Sequence, residues 1–545
     1  AAPRQSASCA MSRTPPAGPG PSQRPIDEPP SRRDALRLIG GAALGALAPA
    51  PALAQAPVLS QIQSALGEGQ RFEPAAVVEL ARALAKRPYA AVPADLPEAL
   101  TNLNYEQYIG IRALPQAQIW AGEGRGFVVE PLHRGWVFSS PVLLFTVEDE
   151  SVRRIAYERS RFEFGKLNVP ANLGDIAFSG FRLFTTALTG PGGQPVEFAL
   201  VQGASFFRAL ARGQSFGLVA RALTLRPAEA RGEEFPFFRA FWIERPRAGT
   251  NALVVHALID SESASGAVRM TFRPGEMTIV DVETSLFPRV ALEHVGLGGM
   301  GSSYLFGSID RRGVDDPRPA VHKSSGVQMH NGSDEWIWRP LQNPETLQIS
   351  VFLDKDPKGF GLIQRERDYA AFQDDEQRWE RRPSLWIEPI GEWGQGAVQL
   401  IEIPSESEVN DNILAYWRPK AAMTAGAEVV FSYRQFWCWH PPDRPDVATV
   451  AATRVGRGST GRRRRFLVDF TGEALGGAPI AELKAAVTTS PGTIQALRTW
   501  PYPERKTLRV AFELDPGNEN ACEMRLLLEA AGKPISETWL YRWTP

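Results

Sequence analysis

Asp411 stands between two asparagines, in Asn410-Asp411-Asn412, directly before the apolar run Ile413-Leu-Ala-Tyr-Trp417. A carboxyl in that setting either caps a turn with its short side chain or holds a proton that can pass to a leaving oxygen. Earlier in the chain, Pro319-Ala-Val-His322-Lys323-Ser324 places an imidazole next to an ammonium. A charged ammonium donates hydrogen bonds and accepts none, so Lys323 cannot take a proton from water. Asp315, Asp316, Asp334 and Glu335 lie close in sequence, and spacing alone selects none of them as a base. Trp336, Trp338 and Arg339, with Trp386 and Glu388, combine flat aromatic faces with hydrogen-bonding groups. Each of these, taken alone, is more often core than site. No glycine cradle for phosphate, no zinc spacing and no serine–histidine–aspartate motif in context is present, so neither a cofactor nor a metal is expected.

The elements that would position these residues are mostly strands. A chain of 545 residues is long enough for two large domains. Short apolar runs, several of them alternating or β-branched, are separated by turn residues: Val142-Leu-Leu-Phe-Thr-Val147, Val196-Glu-Phe-Ala-Leu-Val201, Ala252-Leu-Val-Val-His-Ala-Leu258 and Met277-Thr-Ile-Val-Asp-Val282. Gly135-Trp-Val-Phe138 reads the same way. This rhythm predicts an all-β protein built on a large antiparallel sandwich. One helix is predicted over residues 74–86, where Val77, Val78, Leu80 and Leu84 share a stripe. A boundary is expected near Arg418-Pro419-Lys420. Beyond it, about seven short strands fit a smaller immunoglobulin-like sandwich. The basic run Arg462–Arg465 reads as a solvated loop, or more sharply as a contact with anionic lipid headgroups.

Composition narrows the partners. The formal net charge of −1 gives no field for a polyanion, so a neutral polymer is favoured over nucleic acid. Three cysteines, Cys9, Cys438 and Cys522, build no disulfide framework, although one Cys438–Cys522 bridge is conceivable after export. Ser31-Arg32-Arg33-Asp34-Ala35-Leu36-Arg37, a weakly apolar stretch to about Leu53 and the small-x-small site Ala54-Gln55-Ala56 follow one another in the order of a twin-arginine signal. The mature protein is then expected to start near Pro57, in the periplasm.

Several further stretches bear a likeness to one family. They include Phe178-Ser-Gly-Phe-Arg182, Gly203-Ala-Ser-Phe-Phe-Arg208, Glu233-Glu-Phe-Pro-Phe-Phe-Arg-Ala-Phe-Trp242 and Glu335-Trp-Ile-Trp-Arg-Pro-Leu341. Pro357-Lys-Gly-Phe-Gly-Leu362, Arg382-Pro-Ser-Leu-Trp-Ile-Glu-Pro389, Asp411-Asn-Ile-Leu-Ala-Tyr-Trp417 and Ser536-Glu-Thr-Trp-Leu-Tyr541 complete the series. Together they resemble the periplasmic glucans biosynthesis proteins OpgG and OpgD (also MdoG and MdoD). The twin-arginine leader makes the chain look closer to the OpgD branch.

The resemblance implies a galactose-mutarotase-like sandwich with a cleft over residues 57–419, followed by an immunoglobulin-like domain over 420–545, with 1–56 as leader. It implies binding of a β-1,2-linked glucan, with cleavage or transglycosylation by an anomer-inverting route. Asp411 matches the acid of the family's Asp-Asn-Ile motif. His322, Lys323, Trp336, Trp338, Arg339, Trp386 and Glu388 are then expected at the sugar. Lys323 occupies the place where hydrolytic members carry an Asp base. Water activation is therefore in doubt, and a sugar hydroxyl held in the cleft would be the alternative nucleophile. The competing expectation is a non-catalytic glucan-binding partner of the inner-membrane glucan synthase.

The leader can be tested directly. Arg32→Lys together with Arg33→Lys should leave the precursor in the cytoplasm, as fractionation and immunoblotting would show. Normal periplasmic levels of this double variant would exclude the twin-arginine route.

Overall fold

Alternating apolar and polar side chains become strands of two large sheets. The computed structural model describes residues 58–189, 192–311, 313–477 and 482–545. The expected leader, with Cys9 and the arginine pair, lies outside the described residues.

The first sheet is antiparallel throughout. Its strands run, in spatial order, Phe127–Leu132, Gly180–Thr185, Val196–Gln202, Phe206–Ala209, Val219–Arg221, Val295–Ser302, Ile413–Pro419, Gln395–Glu402 and Gln348–Lys355. The second sheet is longer. Its central run is Gly326–His330, Gly359–Ile363, Ser384–Ile390, Val429–Cys438, Thr278–Pro288, Ala264–Arg273, Leu253–Asp260 and Phe237–Glu244. The two sheets face each other across one core, where Phe181, Phe207 and Trp417 of the first meet Phe241, Val268 and Leu362 of the second. This is a β-sandwich, and the all-β expectation holds.

The predicted helix is present as Pro74–Ala85, buried through Val77, Leu80, Ala81 and Leu84. With a second helix, Val58–Leu66, it covers the outer face of the second sheet at Phe145 and Trp242. Gly135-Trp-Val-Phe138 is not a strand. Its two ends bridge to each other and Trp136 takes a left-handed φ of 51°, so the segment is a turn.

The strand Val429–Cys438, which follows the expected boundary at 420, hydrogen-bonds to Thr278–Pro288 on one side and Ser384–Ile390 on the other. Those residues therefore belong to the large sheet, and the chain leaves it after Cys438. The apolar alternation of Val429–Cys438 fits either sandwich, which is why the sequence alone places it in the smaller one. The smaller sandwich pairs the four-stranded sheet Thr449–Arg457, Arg464–Thr471, Thr507–Asp515 and Thr493–Tyr502 with the strands Leu483–Ser490, Cys522–Ala530 and Thr538–Trp543. Phe466, Phe512, Leu526 and Trp539 fill the space between.

These last three strands are also the end of the second sheet. Thr538–Trp543 pairs in parallel with Trp336–Pro340, so one sheet runs through both sandwiches. Arg365 locks this seam. Its guanidinium lies 3.5 Å from the ring centre of Trp338 and donates to both oxygens of Glu537, at 2.6 and 2.9 Å. Glu537 is 0% exposed and also accepts the backbone N–H of Val450.

Cys438 and Cys522 are both free and buried. Burial pushes the Cys438 thiol up to about 12, which makes it inert. The basic run is engaged within the protein: Arg462 donates to Gly517 and Glu519 carbonyls, Arg463 pairs with Asp515 and Arg465 with Glu513. No helix among the described residues is long and apolar enough to cross a membrane.

Removing one partner of a buried pair leaves an uncompensated charge, which costs about 3–5 kcal/mol. Glu537→Ala should therefore lower the unfolding free energy by roughly that amount in urea titrations. A variant as stable as the wild type would show that the seam is held by apolar packing alone.

Candidate functional site

Asn412 and Asp411 divide the work of their motif. Asn412 is buried and fixed: its side-chain oxygen accepts the N–H of Tyr304, and its amide donates to the carbonyls of Tyr304 and Ile403. Asp411, one residue earlier, is thereby held at the mouth of the strand Ile413–Pro419. It caps no turn. Its carboxylate accepts a hydrogen bond from the ammonium of Lys323, and the two form an ion pair. Lys323 is positioned by its own N–H, which donates to Ser303 at 2.9 Å. Both partners thus hang from residues 302–304. Their side chains are 14% and 20% exposed, so the pair is largely withdrawn from water.

Electrostatics decide the protonation of this pair. Burial opposes the ionised form of Asp411, but the positive charges of Lys323, Arg208 and Arg221 outweigh it and hold the carboxyl below its usual range. Burial lowers the Lys323 ammonium, aided by Arg208 and Arg382 and opposed by Asp411. The resting site therefore contains a carboxylate. A carboxylate cannot protonate a leaving oxygen, so Asp411 acts as a general acid only if Lys323 is drawn away from it.

Arg208 and Arg221 come from adjacent strands of the first sheet, with Phe206 opposite Arg221 in register. On the strand Phe206–Ala209, Phe207 and Ala209 enter the core while Phe206 and Arg208 take the opposite face. Arg221 also pairs with Glu233, whose carboxyl is pushed up by burial against the pull of that arginine. Arg382 donates to the Phe216 carbonyl and to Gln377 at 2.8 Å. Some polar atoms around the pair are buried without a protein partner: Nε of Arg221, Nε of Arg382, Oγ of Ser303 and Oδ1 of Asn410.

Not every expected residue joins this site. His322 is a core histidine, stacked on Tyr304 at 5.1 Å and edge-on to Phe372 at 4.9 Å. Burial lowers its pKa to about 3, so it is neutral. Trp336 stacks between His330 and Trp386, at 4.2 and 5.9 Å. Trp386 and Trp338 are core residues on the seam with the smaller sandwich, and Trp386 donates to Glu388 at 3.1 Å. Arg339 makes a buried pair with Glu402 at 3.0 Å. The neighbours of Trp336, Trp338, Arg339, Trp386 and Glu388 are those of the seam rather than those of the Lys323–Asp411 pair.

Three of the four candidate bases are occupied elsewhere. Asp316 binds Arg318, which further binds Asp374 and Glu408. Asp334 pairs with Lys358, Glu335 with Arg525, and Asp315 is exposed. Sequence reasoning missed Arg208, Arg221, Glu233 and Arg382. Arg208, Glu233 and Arg382 lie in stretches that carried the family likeness, whereas Arg221 lies outside them, and the alternation of Phe206–Ala209 was a signal that Arg208 leaves the core. Among the described residues, no group of three or more His, Cys, Asp or Glu is placed to hold a metal ion.

Fold and site together define a two-sandwich β-protein with a partly buried charged pair ringed by unpaired polar atoms. Residues 72–543 match the family described as periplasmic glucan biosynthesis protein, MdoG, and the chain belongs to that family. It is 45% identical over 519 residues to glucans biosynthesis protein G of Bradyrhizobium diazoefficiens, covering 94% of this chain and 100% of that protein. It is 44% identical over 481 residues to the protein of the same name from Vibrio cholerae, covering 87% of each. Both relatives carry the G name, and the leader that pointed to the D branch lies outside the described residues. A galactose mutarotase related enzyme from Lactobacillus acidophilus aligns over 44% of this chain and 96% of its own, at 8% identity and a TM-score of 0.20.

The buried imidazoles make a pH prediction. Burial lowers His133 from 6.5 to about 4 and His322 from 6.5 to about 3. The unfolded chain then binds protons that the folded chain refuses. Stability from these groups is complete above pH 6.5 and is lost as pH falls towards about 4 and about 3. Urea midpoints should decline over that window, and a flat profile would contradict the assignment.

Proposed function

We propose that this chain is a periplasmic protein of glucan biosynthesis that binds a β-1,2-linked glucan over the Lys323–Asp411 pair. The observation that carries this reading is the pair with its surrounding unpaired atoms. Two of these, Nε of Arg221 and of Arg382, are donors; Oδ1 of Asn410 is an acceptor; Oγ of Ser303 can be either. A neutral polyhydroxyl chain supplies both kinds of partner without adding charge.

A second reading, glycosyl transfer, is favoured by the opposed forces on Asp411. Burial pushes its carboxyl towards protonation and Lys323 is the first of the charges that prevent this. A sugar hydroxyl that takes Lys323 as its own donor would weaken that restraint and return Asp411 towards the acid form. With an ammonium where a water-activating base would be, a glucan hydroxyl held in the cleft would attack the anomeric carbon as the glycosidic bond breaks. Protonated Asp411 gives its proton to the leaving oxygen, the attacking hydroxyl releases its proton to solvent, and Asp411 is reprotonated from solvent. Inversion at a β linkage would then give an α linkage, with ring closure if the attack is intramolecular.

One experiment separates the two. Purified protein is titrated with linear β-1,2-glucan by calorimetry and the glucan is then analysed by mass spectrometry and reducing-end assay. Binding with unchanged glucan supports the first reading. New products without new reducing ends support transfer, and Asp411→Asn should then lower turnover by about 10²–10⁴-fold while binding is largely kept. Lys323→Asp should shift those products towards hydrolysis. Wild-type protein that neither binds nor changes the glucan would overturn both readings.

A further inference from the structure

A line of aromatic rings leads away from the charged pair along the first sheet. Arg221 lies over the ring of Phe206, 5.2 Å from its centre. Phe206 and Phe138 both border Gly203, which has φ +80°; a Cβ there would stand 3.3 Å from Phe138 and 3.8 Å from Phe206. From Phe138 the line passes to Trp136, with ring centres 5.7 Å apart, and then to Tyr105 at 5.5 Å. Phe206, Phe138 and Trp136 are partly exposed, and Tyr105 is 58% exposed.

Two local devices hold the far end of this line. Asn104 and Gln107 cap each other across the short helix Tyr105–Ile109, which turns Tyr108 into the core and leaves Tyr105 outside. Trp136 sits in the left-handed region, where a bulky side chain is rarely found and costs on the order of 1–3 kcal/mol. Its N–H is tied to the Leu100 carbonyl at 2.8 Å. The beginning of the turn is equally fixed, because a Cβ at Gly135 would stand 3.2 Å from the same carbonyl. The Trp136 ring packs on Tyr108 at 6.0 Å and on Phe138 at 5.7 Å, and the rest of the ring stays accessible.

The occupant follows from the chemistry of the line. Beside it, Gln202 donates to the Tyr108 hydroxyl at 2.6 Å and to Ser179 at 2.8 Å, and the Arg182 charge also acts on Tyr108. Rings flanked by hydrogen-bond donors and acceptors suit stacked pyranose rings, whose hydroxyls meet both, better than a lipid tail. We infer that Tyr105 and Trp136 form a distal subsite for a β-1,2-linked glucan whose other part lies over Lys323–Asp411. This inference rests on the glucan-binding reading and extends it from a point to a track. A long glucan would span both places, whereas a β-1,2-linked disaccharide would reach only one.

The test is calorimetric titration of wild type, Tyr105→Ala and Trp136→Ala with a long linear β-1,2-glucan and with the disaccharide. Thermal unfolding accompanies each variant, and the exposed Tyr105 serves if Trp136→Ala does not fold. Loss of one ring should weaken the long glucan about tenfold. Disaccharide binding should stay within about twofold of wild type, a change of roughly 0.4 kcal/mol. Tyr105→Ala that binds the long glucan as well as wild type does would overturn the subsite and leave the glucan-binding reading intact. Equal weakening of both ligands would also overturn it, because a merely structural role would act on both. Wild type that binds no long glucan would overturn the subsite together with the reading beneath it.

Discussion

The carboxylate of Glu537 has no access to water and depends on Arg365 for its charge balance. That ion pair is the constraint on which the two-sandwich arrangement rests. Arg365 reaches from the turn after Gly359–Ile363 in the large sandwich, and Glu537 stands just before the last strand of the small one. Between them the Trp338 ring supplies a cation–π face. Because the second sheet continues through the seam, the two sandwiches share hydrogen bonds and side chains alike. A hinge between them would have to break both, which makes the smaller sandwich a rigid buttress for the larger.

The rigidity matters at the Lys323–Asp411 pair because both partners are placed by neighbouring backbone. Residues 302–304 receive Asn412 on one side and Lys323 on the other. An ion pair withdrawn from water is sensitive to small displacements, since its attraction and its desolvation cost are both large and opposed. Arg318 adds a second brace. Its three carboxylate partners, Asp316, Asp374 and Glu408, tie the loop before His322 to the segment before Trp379 and to the loop before Asp411.

Much of the fold was legible because period-two alternation survives in strands such as Thr278–Pro288 and Arg464–Thr471. The limit was assignment of strands to sheets. Val429–Cys438 carries the same alternation whichever sandwich it joins, and only its pairing with Thr278–Pro288 decides the matter. The site was partly legible for a similar reason. Asp411 and Lys323 stand out as residue types, yet their contact spans two segments far apart in sequence. Trp338, Arg339 and Trp386 show the converse. Their composition suggests a sugar cleft, whereas a sheet that passes through two cores needs large, satisfied side chains at its seam. Arg208 and Arg221 escaped notice because an arginine on a short strand carries no motif of its own.

The parallel pairing of Trp336–Pro340 with Thr538–Trp543 has a consequence for how the chain reaches its native state. Thr538–Trp543 is synthesised long after the strand it joins, and Glu537 must arrive before Arg365 is neutralised. Contacts between distant segments carry the loop-closure entropy of everything between them, and such topologies fold slowly. Until Thr538–Trp543 emerges, the cover of Trp338 and Trp386 is incomplete, and an unpaired edge of the second sheet stays open to other chains. The strand Thr538–Trp543 is thus the keystone of assembly, and a ribosome that stops short of it releases a protein with the apolar side chains of the seam uncovered.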